Sequence, residues 1–211
     1  MRITRVLQIT TLLATTSSPV FAQDDLDVKL NDMYRMTYVE AMPRLLEATA
    51  KLKEATGHKD EAAKVRAAAA DLAKGGDKPN PDLTKTVMTL QSEASKSLAD
   101  DLTAGTAKVS ADQMQAFIDG VVSYFEGTVK TGEAAQLIPD LSKALSAFQM
   151  PKNPMAARKA MSTVGAAKAL VDNVPVLLSS NLQTTKALKA YVTANRIKVP
   201  TEVLNMNFPG K

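Results

Sequence analysis

The stretch AMSTVGAAKALVDNVPVLLSSNLQTTKALKAYV, Ala160 to Val192, decides the fold class. Its apolar or small residues recur at Ala160, Val164, Ala167, Val171, Val174, Leu178, Leu182, Thr185, Leu188 and Val192. Steps of three and four over that length draw one stripe along a helix of many turns. A stripe cannot be buried by the helix that carries it, so other helices must pack against it. The remaining segments supply them. Leu26, Leu30, Tyr34, Tyr38 and Ala41 share one helical face, which Leu45, Ala48, Leu52 and Ala55 resume beyond Pro43. Gly57 is a natural stop. An alanine-rich helix with Ala62, Val65, Ala69 and Leu72 follows and ends at Gly75-Gly76.

Asn80-Pro81 and Asn153-Pro154 each place a capping side chain before a proline at the first helical position. The first opens a helix bearing Leu83, Val87, Leu90, Ala94, Leu98 and Leu102, closed by Gly105. Ser110 and Gln113 spell a capping box for the next helix, whose face is Met114, Phe117, Val121 and Tyr124. Gly120 and Gly127, seven apart there, each lower helix propensity by about 1 kcal/mol relative to alanine. A close-packed neighbour would explain them. Gly132 is the expected end of that helix, and Ile138, Leu141, Leu145 and Phe148 mark another. No window alternates like a strand. The reading is an all-α helical bundle of about five to seven helices, several broken or kinked at proline.

At the N-terminus, Arg2 and Arg5 precede the apolar run Val6–Ala14 and the small-x-small triplet Val20-Phe21-Ala22. Residues 1–22 read as a secretory signal peptide, 23–199 as one bundle domain, and 200–211 as an extended C-terminal tail strapped across it. No later run is apolar enough to span a bilayer, so no integral membrane segment is expected in the mature chain. The chain has no cysteine, which closes the lipoprotein and disulfide routes. Export to the periplasm, with full secretion as the alternative, is the expected localisation.

Charge is segregated. Residues 23–149 carry 15 basic and 20 acidic side chains, whereas 150–211 carry 9 basic and 2 acidic. Either the cationic third is neutralised by docking on the acidic body, or Lys186, Lys189 and Arg196 offer a face to an anionic partner, an envelope protein or another anionic surface. An exported chain with few aromatics and no recognition motif is not expected to bind nucleic acid.

Three segments read apolar-Pro-x-Leu within helical patterns, at Pro43, Pro139 and Pro175. Each proline either starts a new helix or kinks one, and three kinks at one level would splay the bundle around a cavity. Candidate chemistry is sparse. The lone histidine, His58, adjoins Gly57 and reads as a solvated turn residue, which leaves no His-based metal set, triad or haem ligand of promise. Met33 and Met36, with Met150, Met155 and Met161, could bind Cu(I), though methionine is also common core filler. Lys130-Thr131-Gly132 lacks the companion motifs of penicillin-binding enzymes, and Asp100, Asp101 and Glu126 read as a solvated face. No cofactor is expected. The function expected is therefore a non-catalytic binding or scaffolding protein; the alternatives are a carrier of an apolar small molecule between proline-kinked helices, and an enzyme whose site the sequence does not show.

Overall fold

The computed structural model describes residues 19–75 and 80–208 of the chain. Every regular element in them is helical. The leader expected at 1–22 lies outside these residues, apart from the helical backbone that begins at Pro19.

Helix α1 (Pro19–Tyr34) runs without a break through a π-helical segment, Arg35–Ala41, into α2 (Met42–Ala55). Pro43 explains the widening. It has no N–H to give, and its ring would strike the carbonyl four residues back in a regular α-helix. One wider turn relieves both problems, and the Met42 N–H accordingly donates to the Thr37 carbonyl five residues back. Helix α2 closes in a Schellman motif. The Gly57 N–H donates to the Glu54 carbonyl and the His58 N–H to the Lys53 carbonyl, with Gly57 at φ +91°.

Helices α3 (Lys59–Lys74), α4 (Pro81–Ala104), α5 (Met114–Ala135), α6 (Ile138–Ala147) and α7 (Pro154–Ala194) follow, and one turn, α8 (Thr201–Leu204), lies in the tail. Both Asn-Pro starts are capped as the sequence predicts. Asn80 Oδ1 accepts from the Asp82 and Leu83 N–H groups, and Asn153 Oδ1 from those of Met155 and Ala156. Ser110 is different. Its side chain caps no N–H, residues Ala111–Gln113 form a 3-10 turn, and α5 begins only at Met114. Gly132 does not end α5, which continues to Ala135 with Gly132 buried inside it.

Side-chain contacts give the topology. Tyr38 meets Thr84, Thr49 meets Gln91, Ser180 meets Ser92 and Thr184 meets Ser95, so α2, α4 and α7 run in the same direction. Helix α5 returns against α2: a Cβ at Gly120 would lie 2.9 Å from Leu52 Cγ, and one at Gly127 2.8 Å from Leu45 Cγ. Two apolar clusters fill the bundle. One gathers Leu26, Met33, Leu46, Leu141 and Leu170 around α1, α6 and the first half of α7. The other gathers Leu52, Leu98, Phe117, Phe125 and Leu188 around α5 and the second half of α7.

The three prolines meet three fates, and all three rings are exposed. Pro43 opens α2 after the π turn, Pro139 sits in the first turn of a new helix, and Pro175 lies inside α7. An exposed proline lets a helix curve around its core, convex toward solvent. It does not open the packed side. The tail is not wholly extended either, since α8 turns Val203 into the second cluster.

The glycine contacts yield a paired prediction. Gly127→Ala gains about 1 kcal/mol of helix propensity but drives a methyl into Leu45, an overpacking of about 1–3 kcal/mol. Gly165 meets only Pro81 Cγ, at 3.9 Å. Urea denaturation should show Gly127→Ala destabilised by up to about 2 kcal/mol net and Gly165→Ala stabilised by up to about 1 kcal/mol.

Candidate functional site

Two polar clusters lie inside the bundle and one polar groove on its surface. The first cluster is a belt across α2, α4, α5 and α7. Gln91 Nε2 donates to Thr49 Oγ1 at 2.8 Å and to Ser95 Oγ at 2.9 Å. Tyr124 Oη lies 2.8 Å from Ser95 Oγ and 3.0 Å from Asn181 Oδ1. An amide oxygen only accepts, so the phenol proton goes to Asn181 and Ser95 supplies the other bond. Burial pushes the Tyr124 phenol up to about 12, opposed by hydrogen bonds from Ser95 and Thr184, so it remains a neutral donor in this site. These residues are buried, and helical spacing on α4 and α7 places them between the two apolar clusters. Their chemistry is that of a register lock.

The second cluster surrounds Lys53, whose side chain is fully buried near the C-terminus of α2. Its ammonium group meets Ser97 Oγ at 2.8 Å, Glu61 Oε2 at 2.9 Å and Asp101 Oδ2 at 3.0 Å. Three donors face three acceptors, so the group is satisfied and ties α2, α3 and α4 together. A serine beside a lysine invites comparison with a nucleophile and its base. In this geometry the ammonium protons are all committed to oxygen, and no lone pair is free to take the Ser97 proton. The lysine hydrogen bond, followed by partial burial acting the other way, leaves Glu61 below the usual carboxylate range.

His58 belongs to this cluster. The structure corrects its reading as a solvated turn residue: it precedes α3, half-buried, with Nε2 3.3 Å from Asp101 Oδ2. Asp101 is likewise no free surface carboxylate. Lys53 itself was missed, although it falls four residues after the buried Thr49 and continues that arc of α2. Its partners on α3 and α4 are distant in sequence and left no local signal.

The groove lies between the second half of α7 and the strap that follows α8. It encloses about 530 Å³, with Lys186 and Lys189 on one wall and Leu204, Asn205, Asn207 and Phe208 on the other. Lys186 is exposed, while the Lys189 ammonium sits 5.5 Å over the Phe125 ring and 5.4 Å over Phe208. Phe125 and Phe208 also meet edge to face, 5.8 Å between centroids, and this ring pair with the ammonium beside it pins the strap to the bundle. Thr185 also borders the groove, and its hydroxyl is buried with no hydrogen-bond partner. Arg196, at φ +53°, is exposed beyond the end of α7 and does not line the groove. Lys186 and Lys189 are thus brought together and Arg196 is left apart.

The prolines are not brought together. Pro175 borders two surface grooves of about 500 and 450 Å³ flanking α7, and neither includes Pro43 or Pro139. Met33 is buried in the first core cluster, Met36 is half-buried, and Met150, Met155 and Met161 are exposed. Among the described residues no group of three or more His, Asp or Glu is arranged to hold a metal ion, and no helix is long and apolar enough to cross a membrane. No family model matches the chain, and no curated protein or solved structure does so.

The Lys53 cluster gives a stability prediction. Lys53→Ala removes the buried stem and strands two carboxylates, and should cost about 3 kcal/mol in urea denaturation; Lys53→Met, which keeps the stem, should cost less. Because Glu61 is held below its ordinary value of 4.5, its contribution is complete above that pH and is lost as pH falls through the lower folded value. Glu61→Gln should therefore lower stability at neutral pH and flatten the acid limb, so that the two profiles converge as pH falls below about 4.5.

Proposed function

We propose that this chain is a non-catalytic, exported binding or scaffolding protein that takes an acidic segment of another envelope protein into the groove between α7 and the C-terminal strap. The observation that carries the reading is the pair Lys186 and Lys189, three residues apart on one helix and both bordering a groove with amide side chains on its far wall. One cation is already spent on two aromatic rings. The other is exposed and enters none of the ion pairs among the described residues, so it is available to a carboxylate. Leu182, Leu204 and Phe208 in the lining lower the local dielectric and strengthen such a pair. Asn205 and Asn207 add donors that can hold an extended backbone.

Export is part of the same reading. The first core side chain described is Leu26, four residues past the expected cleavage site. Removing 1–22 therefore leaves every described core residue in place. The protein recovered from its own cell should begin at Gln23 by intact mass; a chain that still starts at Met1 would remove export from this reading.

The groove is tested by titrating isotopically labelled protein with a short polyglutamate peptide. Shifts should gather at Lys186, Lys189, Asn205 and Asn207 and fade as salt is raised. Lys186→Glu should weaken binding about fivefold or more, while Arg196→Glu, outside the groove, should leave it near the starting value. Unchanged binding in Lys186→Glu would show that the groove is not the site.

A further inference from the structure

The first turns of α7 form a second surface, separate from the groove. Contacts between Ser180 and Ser92 and between Thr184 and Ser95 fix the register of α7 on α4. Carried back along both helices, that register sets Pro81, the first residue of α4, near residue 169. Gly165, one turn before that, has its would-be Cβ 3.9 Å from Pro81 Cγ, so the crossing lies over residues 165–169. Residues 154–164, about three turns, therefore run past the start of α4.

This overhang has an unusual surface. Met155 is 84% exposed and Met161 63% exposed, with Met150 half exposed in the loop before the helix. Steps of three put Met155, Arg158 and Met161 along one line of the helix, and Lys159 stands beside Met155. Between Leu141 and Val171 the chain carries Lys143, Lys152, Arg158, Lys159 and Lys168 and no acidic residue. None of these cations enters an ion pair among the described residues. The carboxylates on the elements packed nearby are Asp82 at the start of α4, Asp140 on α6, Asp172 on α7 and Asp24, Asp25, Asp27 and Asp32 on α1; of these Asp140 pairs with Lys29, and none pairs with the five cations among the described residues.

We infer that the α6–α7 loop and the overhanging start of α7 dock on an anionic lipid bilayer surface. Long, unbranched apolar side chains flanking a guanidinium suit the headgroup boundary, where methionines reach the acyl layer and Arg158, Lys152 and Lys159 meet lipid phosphates. The exposed large apolar side chains here are methionines, while Phe148 in the loop packs against the first core cluster, so the surface lacks the exposed aromatic anchor a protein partner would ordinarily require. Attachment of this kind is peripheral and reversible, which agrees with the lack of any described helix able to span a membrane.

The full chain is sedimented with vesicles of equal parts phosphatidylglycerol and phosphatidylcholine, and with phosphatidylcholine alone. Binding should require the anionic lipid and weaken with salt. Arg158→Glu with Lys159→Glu should lower partitioning about tenfold or more, Met155→Asp with Met161→Asp should do likewise, and Lys186→Glu should have little effect. The chain has no tryptophan, so Met155→Trp introduces a single reporter whose emission should shift to the blue on anionic vesicles. Binding that is lost in Lys186→Glu but kept in both overhang variants would assign the lipid contact to the groove and overturn the inference. So would equal binding to both vesicle types, no vesicle binding at all, or a Met155→Trp emission that moves with polyglutamate and not with lipid.

Discussion

The hydrogen-bonded belt from Gln91 through Ser95 and Tyr124 to Asn181 is the constraint on which the rest of this bundle depends. Apolar helix faces alone tolerate sliding, because one leucine packs against another almost as well one turn further along. A buried phenol and two buried carboxamides do not tolerate it. Slipping α7 by one turn against α4 would withdraw Asn181 from Tyr124 and Thr184 from the Ser95 carbonyl. Each buried group left unpaired would cost about 1–3 kcal/mol. Gln91 Oε1 already lacks a partner, so the belt has little slack. Three helices running in the same direction need such a lock more than an up-and-down bundle, whose short turns set the register.

Glycine and proline fit the same frame from opposite sides. Gly120 and Gly127 are the positions where α5 lies too close to α2 for any side chain, with Leu52 and Leu45 already occupying the space. Pro43, Pro139 and Pro175 all point outward, where a missing N–H does not disturb the packed face. Pro43 leaves the larger mark, a π turn that passes Thr37 and Tyr38 into the core. The stacked rings of Tyr34 and Tyr38, 4.8 Å apart, and the Tyr38 bond to the Thr84 carbonyl hold that turn in place. Among the described residues Pro175 shares neither of its grooves with Pro43 or Pro139, and Leu45, Leu141 and Val174 beside the three prolines are buried.

Much of the fold was legible because it rests on local rules. The Asn-Pro caps, the Gly57 and Gly105 stops and the close-packed glycines each need only a few neighbouring residues. The stripe on α7 was legible in part. Ala160, Ala167, Val174, Leu188 and Val192 are buried, but so are Leu170, Leu177, Asn181 and Thr184, which an apolar stripe passes over. Position 181 continues the seven-residue series of Ala160, Ala167 and Val174, and an asparagine there is a register signal that hydrophobicity hides. Helix α4 repeats the lesson: Leu90 and Ala94 are only partly buried while Gln91 and Ser95 are fully so. Ser110 failed as a capping box because a 3-10 turn preceded the helix and the Ser110 hydroxyl bonds to Asp112 instead. Lys53, Glu61 and Asp101 come from three helices, and only the folded chain brings them together.

Charge segregation along the chain becomes spatial segregation along α7. Forty-one residues at about 1.5 Å each make a helix some 60 Å long, with buried positions from Ala160 to Val192. Its middle is committed to the polar belt, so neither end is free to adjust its height. The N-terminal end runs past the start of α4 with exposed methionines and cations that enter no ion pair among the described residues, while the C-terminal end builds a groove with the strap. Lys189 shows why the strap belongs to that end: its ammonium contacts both Phe125 of the bundle and Phe208 of the tail, whose rings meet edge to face. A protein seated on a bilayer by the overhang would therefore hold its groove several tens of ångströms away along the helix, at a distance set by the belt. The same register that makes the core specific thus fixes the spacing between a surface suited to lipid and a groove suited to an acidic partner.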